Sequence, residues 1–134
     1  MIVDSSAVVA ILRQEPEAAA FSESLAMADH LKMSVVNYVE AAVVIDSARN
    51  PVMSRKFDDL IRAAVIEIVA VTVEQGRLAR EAYRDFGRGS GHAAKLNFGD
   101  CFSYALAKDS GEPLLFKGND FSQTDLVPAV KPLQ

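Results

Sequence analysis

The sequence predicts an α/β protein: a mainly parallel central sheet of four to five strands covered by helices on both faces. Three observations carry that expectation. Short apolar runs alternate with helical patterns along the chain, and strands separated by helices need crossover connections, which lead to parallel pairing. Half of the 134 residues are apolar and 24% are charged, the composition of a globular protein long enough to bury roughly two-thirds of its unfolded surface. No internal repeat, low-complexity tract or linker rich in Pro, Gly or Ser divides the chain, so residues 1–134 are expected to form one domain.

Met1–Val3 is the first strand, and it ends on Asp4. Ser6–Leu12 and Pro16 to about Ala28 follow as helices, and Leu31–Val35 is a second strand that ends near Ser34. A helix from Val36 to Arg49 stops before Asn50-Pro51, because proline disfavours helix in the residue before it. Val52–Ala64 is another amphipathic helix, and the β-branched run Ile66–Val71 a third strand. Val73–Phe86 is helical, Gly87–Gly91 a break, and a further helix starts near Phe98 and stops at Gly111. Pro113–Phe116 is the fourth strand. Val127, Ala129 and Val130 offer a short fifth.

Charge and cysteine content narrow the function classes. A net charge of −4 argues against a broad nucleic-acid surface unless positive charge is local. The single cysteine, Cys101, excludes an internal disulfide and suits a reducing cytoplasm. No apolar run approaches the ~20 residues of a membrane span, and no targeting segment is visible.

Four acids stand at positions where chemistry is common, since ligands of open α/β sheets bind beyond the carboxyl ends of the strands. Each also has a local explanation. Asp4 could cap the helix after it. Asp100 lies in the first turn of its helix, where the dipole favours negative charge. Asp120 follows Leu114-Leu115-Phe116 in the turn Lys117-Gly118-Asn119, where aspartate is frequent. Glu40 resists such a reading, because Val36, Val43 and Val44 surround it at helical spacing and the same face offers no basic partner.

Together the acids would converge on one sheet edge. Carboxylates repel by up to about 4 kcal/mol per pair at 4 Å and an effective dielectric of 20, so a cluster calls for a cation. Hard oxygen donors without a histidine or cysteine cluster favour Mg²⁺ or Mn²⁺ over zinc or copper. His30 and His92 are read as surface residues. Arg84, Arg88, His92 and Lys95 concentrate positive charge around a Gly-rich stretch ahead of Asp100, a candidate RNA-contacting loop or an ordinary solvated one. Lys117 is a further candidate phosphate contact.

The chain resembles PIN-domain ribonucleases, and most closely the VapC toxins of bacterial toxin–antitoxin pairs. The resemblance extends over nearly the whole chain and is carried by Met-Ile-Val-Asp4-Ser-Ser-Ala, Ser34-Val-Val-Asn-Tyr-Val-Glu40, Leu96-Asn-Phe-Gly-Asp100-Cys-Phe-Ser-Tyr-Ala and Leu114-Leu-Phe-Lys-Gly-Asn-Asp120-Phe. It implies a PIN-like three-layer α/β/α fold in which Asp4, Glu40, Asp100 and Asp120 form the acidic metal pocket of an endoribonuclease. Many members carry threonine or serine in the turn before the fourth acid. This chain has Phe116-Lys117 there, so Asn119 and Asp125 are additional candidates for completing the site. The resemblance also implies a cognate VapB-type antitoxin that occludes the groove, and a homodimer or a toxin–antitoxin hetero-oligomer. Val8, Val9, Leu12 and Phe21 are candidates for either core or partner surface.

Metal-assisted hydrolysis needs no side-chain nucleophile. Ser5, Ser6 and Ser103 lie near the acids, but no histidine accompanies them and the logic of a serine triad fails. Ser6 is better placed as a supporting or phosphate contact. Two other classes compete. A Mg²⁺-binding receiver-like signalling module would have an acidic pair after strand one and an aspartate after strand three, whereas Asp4 is followed by serines and Ile66–Val71 by Thr72-Val73. A PIN-domain RNA-processing nuclease outside toxin systems would share the pocket, although such proteins often carry additional domains.

Overall fold

The structure is a computed structural model and describes residues 1–130. Four parallel strands form one sheet in the order β3-β2-β1-β4, with β1 Ile2–Val3, β2 Leu31–Ser34, β3 Ile66–Val69 and β4 Leu114–Leu115. The helices are α1 Ser5–Leu12, α2 Ala18–Met27, α3 Val35–Asp46, α4 Pro51–Ala63, α5 Val73–Phe86 and α6 Phe98–Ser110. A short 3₁₀ turn, Phe121–Gln123, follows β4. The expected fifth strand is reduced to a bridge: Pro128 pairs with Leu114 through Leu114 N–H to Val127 O at 3.0 Å and Ala129 N–H to Leu114 O at 2.8 Å. Pro128 has no N–H to extend that ladder.

The three layers follow from the period of two along a strand. In β1, Ile2 packs with Leu96, Tyr104, Ala105 and Leu114 under α5 and α6, while Val3 packs with Val8, Phe21, Met33 and Leu115 under α1 to α4. Leu114 and Leu115 divide between the two cores in the same way. All four residues are fully buried, so two-residue strands suffice both for the inner β1 and for β4 at the sheet's end. Val8 and Phe21 therefore belong to the core, and Val9 and Leu12 are half-buried against it. The apolar side chains left on the surface lie elsewhere, among them Val39 and Val43 on α3 and Phe98 at the start of α6.

Helix boundaries follow local chemistry. Asn50 accepts from the N–H groups of Val52 and Met53 with Pro51 at the first helical position of α4. Thr72 caps α5 by accepting from Gln75 N–H. Gly111 closes α6 in the left-handed region at φ +65°, where a side chain would be strained. No helix among the described residues is long and apolar enough to cross a membrane.

Candidate active site

Asp4 ends the central strand, and its N–H donates to Leu115 O at 2.9 Å, which locks it beside the end of β4. It is both the cap of α1 and a buried carboxylate, at 1% exposure. Asp4 Oδ2 accepts from Ser6 N–H at 3.0 Å and Ser6 Oγ at 2.6 Å, and Oδ1 accepts from Ser103 Oγ of α6 at 2.5 Å. Ser6 Oγ also accepts from Lys117 N–H at 3.0 Å, tying the turn that carries Asp120 to Asp4.

Asp100 belongs to a reciprocal cap at the start of α6. Its N–H donates to Asn97 Oδ1 at 2.8 Å, and Asn97 N–H donates to Asp100 Oδ2 at 2.9 Å. Burial pushes its carboxyl up to about 7, and the charges of Asp4, Glu40 and Asp120 push in the same direction against the Asn97 hydrogen bond. The charges of the other three acids are thus felt at Asp100.

Glu40 sits on α3, whose buried face is Asn37, Ala41 and Ile45. The expectation that Glu40 projects from an apolar, buried face is corrected: Val43 is exposed, Val36 and Val44 are half-buried, and Glu40 is half-buried at the rim. α3 exceeds the sheet's need for apolar cover, so valine spacing alone misassigns the buried side. Glu40 Oε1 accepts from Ser5 Oγ at 2.5 Å and from Asn37 Nδ2 at 3.4 Å. Asp120 is exposed at the start of the 3₁₀ turn and makes no capping bond with its side chain.

Among the described residues, no group of three or more His, Cys, Asp or Glu side chains is arranged so that it could hold a metal ion. Asp125 is engaged away from the other acids, accepting from Lys108 Nζ at 2.8 Å and Tyr104 OH at 2.7 Å. The Lys108 bond holds its carboxyl below the usual range. Asn119 is exposed in the turn before Asp120.

The basic residues divide. Arg88, His92 and Lys95 line an open groove of about 690 Å³ together with Asp120. Arg84 instead pairs with its neighbour Asp85 at 3.0 Å. Lys117 Nζ is bound by Glu15 and lies 3.6 Å from Glu17, so its charge is directed at the α1–α2 turn. His30 is a surface residue, 2.7 Å from Glu67. His92 is half-buried, stacked edge-on against Phe86 with centroids 4.8 Å apart, and its Nδ1 accepts from Ala94 N–H at 3.0 Å. It remains at the surface, lining the open groove, with its ring held by its own loop.

Several supporting residues escape a search for acids. Ser5 and Ser103, unsuitable as nucleophiles, are hydroxyl donors to the carboxylates. Asn37 is fully buried three residues before Glu40, and Asn97 three before Asp100. The Asn-x-x-Asp spacing of the latter is a readable capping signal.

The model of the PIN domain family matches residues 1–127. Ribonuclease VapC28 of Mycobacterium tuberculosis is 57% identical over 130 residues, covering 97% of this chain and 98% of that protein. Ribonuclease VapC30 of the same species is 47% identical over 133 residues, covering 98% and 100%. The chain belongs to the PIN domain family, among its VapC ribonucleases. In fold it matches the crystal structure of M. tuberculosis VapC20, described as a sarcin–ricin loop cleaving toxin, at TM-score 0.75 and 17% identity over 98% of both chains. A toxin–antitoxin complex from Klebsiella pneumoniae matches at TM-score 0.71 and 14% identity, covering 97% and 98%.

Proposed function

We propose that this protein is the toxin of a type II toxin–antitoxin pair, a divalent-metal-dependent endoribonuclease that a VapB-type antitoxin neutralises in the cytoplasm. Residues 1–134 act as one PIN domain. Support comes from relatives named VapC ribonucleases across the full length and from the acids at the sheet edge. The observation that carries the reading is the buried Asp4 carboxylate after β1, bonded to Ser103 of α6 one turn beyond Asp100, whose own carboxyl is pushed up by burial and by the charges of Asp4, Glu40 and Asp120, a state that a bound cation relieves.

The donor chemistry fits Mg²⁺ or Mn²⁺, because every candidate ligand is a hard oxygen and the four main ones are carboxylates. Asp4, Glu40, Asp100 and Asp120 would hold the ion once their side chains are drawn together, since among the described residues no three of them are grouped for a metal as they stand. The chemistry such an ion would supply there is a water of lowered pKa and positive charge for the phosphate. The chain's own residues hold and orient. Ser6 and Ser103 fix both oxygens of Asp4, Ser5 holds Glu40, and Asn97 fixes Asp100. Arg88 and Lys95 bring positive charge to the RNA backbone beside Asp120. The exposed apolar residues of α3 and α6 offer a surface for a second copy or for the antitoxin.

The test is cleavage of total cellular RNA by the purified protein with Mg²⁺ or Mn²⁺, against EDTA and against Asp100→Asn. Discrete cuts that need both metal and Asp100 are expected, and addition of the cognate antitoxin stops them. RNA left intact, or cut equally by Asp100→Asn, overturns the assignment.

A further inference from the structure

We infer that Gly99 and Asn37 are positioning residues that form a seat for the Glu40 carboxylate, Gly99 by lacking a side chain and Asn37 through its amide. The inference rests on the proposed membership of Glu40 in the acidic site.

The Glu40 carboxylate lies directly on Gly99, in the first turn of α6. A Cβ at position 99 would stand 2.5 Å from Glu40 Cδ and 2.8 Å from Oε1, and closer still to Oε2. Glycine is disfavoured in a helix by up to about 1 kcal/mol relative to alanine. Gly99 has no positive φ that would require it. What it supplies is space. The atoms a methyl group would strike belong to the end of a flexible side chain, so the backbone can stay while the carboxylate swings away.

Asn37 completes the seat from α3. It is fully buried, and its Nδ2 donates to Gly99 O at 2.9 Å and to Glu40 Oε1 at 3.4 Å. One amide thus spans the two helices that carry Glu40 and Asp100. Asn37 Oδ1 is buried with no hydrogen-bond partner among the described residues. Flipping the amide would put that oxygen against Gly99 O, so the donor is needed on this side. A buried, unpaired acceptor is costly. Its retention is explained if the amide's task is to fix Glu40 relative to the residue before Asp100.

The test is a cycle of Gly99→Ala, Glu40→Ala and the double variant, with Mn²⁺ affinity read by calorimetry and folding by circular dichroism. Supporting residues of metal sites typically contribute 10–100-fold in affinity, so Gly99→Ala is expected to weaken Mn²⁺ binding roughly tenfold or more with the fold intact. In the Glu40→Ala background it should cost nothing further, and Asn37→Ala should follow the same pattern. Equal losses in both backgrounds, or none in either, overturn the inference. If Gly99→Ala fails to fold, Glu40→Ala must restore folding, and failure in both backgrounds refutes the seat. If the unmodified protein binds no Mn²⁺, the metal reading falls separately. The seat is then decided by the crystal structure of Gly99→Ala, in which a displaced Glu40 carboxylate supports it and an unmoved one overturns it.

Discussion

Replacing Asp100 by asparagine should make the metal-free protein more stable while destroying its activity. Asparagine keeps the side-chain oxygen that accepts from Asn97 N–H, so the reciprocal cap of α6 survives in part. The change removes a carboxyl whose ordinary value of 3.8 is raised to about 7 by burial, with Asp4, Glu40 and Asp120 adding to the shift. A carboxyl raised on folding binds its proton more tightly in the native state. Its favourable contribution is therefore fully present below the unfolded value, is lost as pH climbs from about 4 to about 7, and stays lost above that. Between pH 5 and pH 8 the full shift would correspond to about 2–3 kcal/mol, and partial exposure of the site lowers this to about 1–2 kcal/mol. For a chain of this length that is roughly 3–8 °C in Tm. The assay is thermal unfolding in EDTA from pH 5 to pH 8, with Asp100→Asn alongside. The unmodified protein should lose stability relative to the variant as pH rises, with the variant the more stable of the two at pH 8. Parallel pH profiles, or a variant less stable at pH 8, would refute the idea that the acids are held together at a cost.

Ser103→Ala removes the Oγ donor to the buried Asp4 and should reduce RNA cleavage and Mn²⁺ affinity by about 10–100-fold, measured by initial rates and calorimetry. Asn97→Ala breaks the cap of α6 and should lower stability by about 1 kcal/mol in urea unfolding, with a loss of cleavage as Asp100 loses its orientation. Arg88→Ala and Lys95→Ala, whose side chains line the groove beside Asp120, should weaken single-stranded RNA binding and flatten its salt dependence in fluorescence anisotropy. Lys117→Ala should change RNA affinity far less, because its ammonium is held by Glu15 and Glu17; a loss equal to that of Lys95→Ala would return Lys117 to the RNA surface.

The sequence by itself determined the order of elements, the parallel sheet and the acids at strand ends and helix starts, because these are written in local signals. Apolar runs, caps and the proline at 51 act within a few residues. Asp4, Asp100 and Asp120 stand out as candidates because each lies at the boundary of an element whose chemistry is also local. Tertiary structure alone decided what surrounds them. Ser103 reaches Asp4 across 99 positions, and Asn37 reaches Gly99 across 62, distances over which no periodicity carries information. The same holds for Lys117 turning to Glu15 and for the exposed side of α3, since the partner that neutralises or covers a side chain is supplied by packing. A carboxylate's identity is a property of the chain, whereas its proton affinity is set by burial and neighbouring charge, which exist once the sheet has brought the strand ends together.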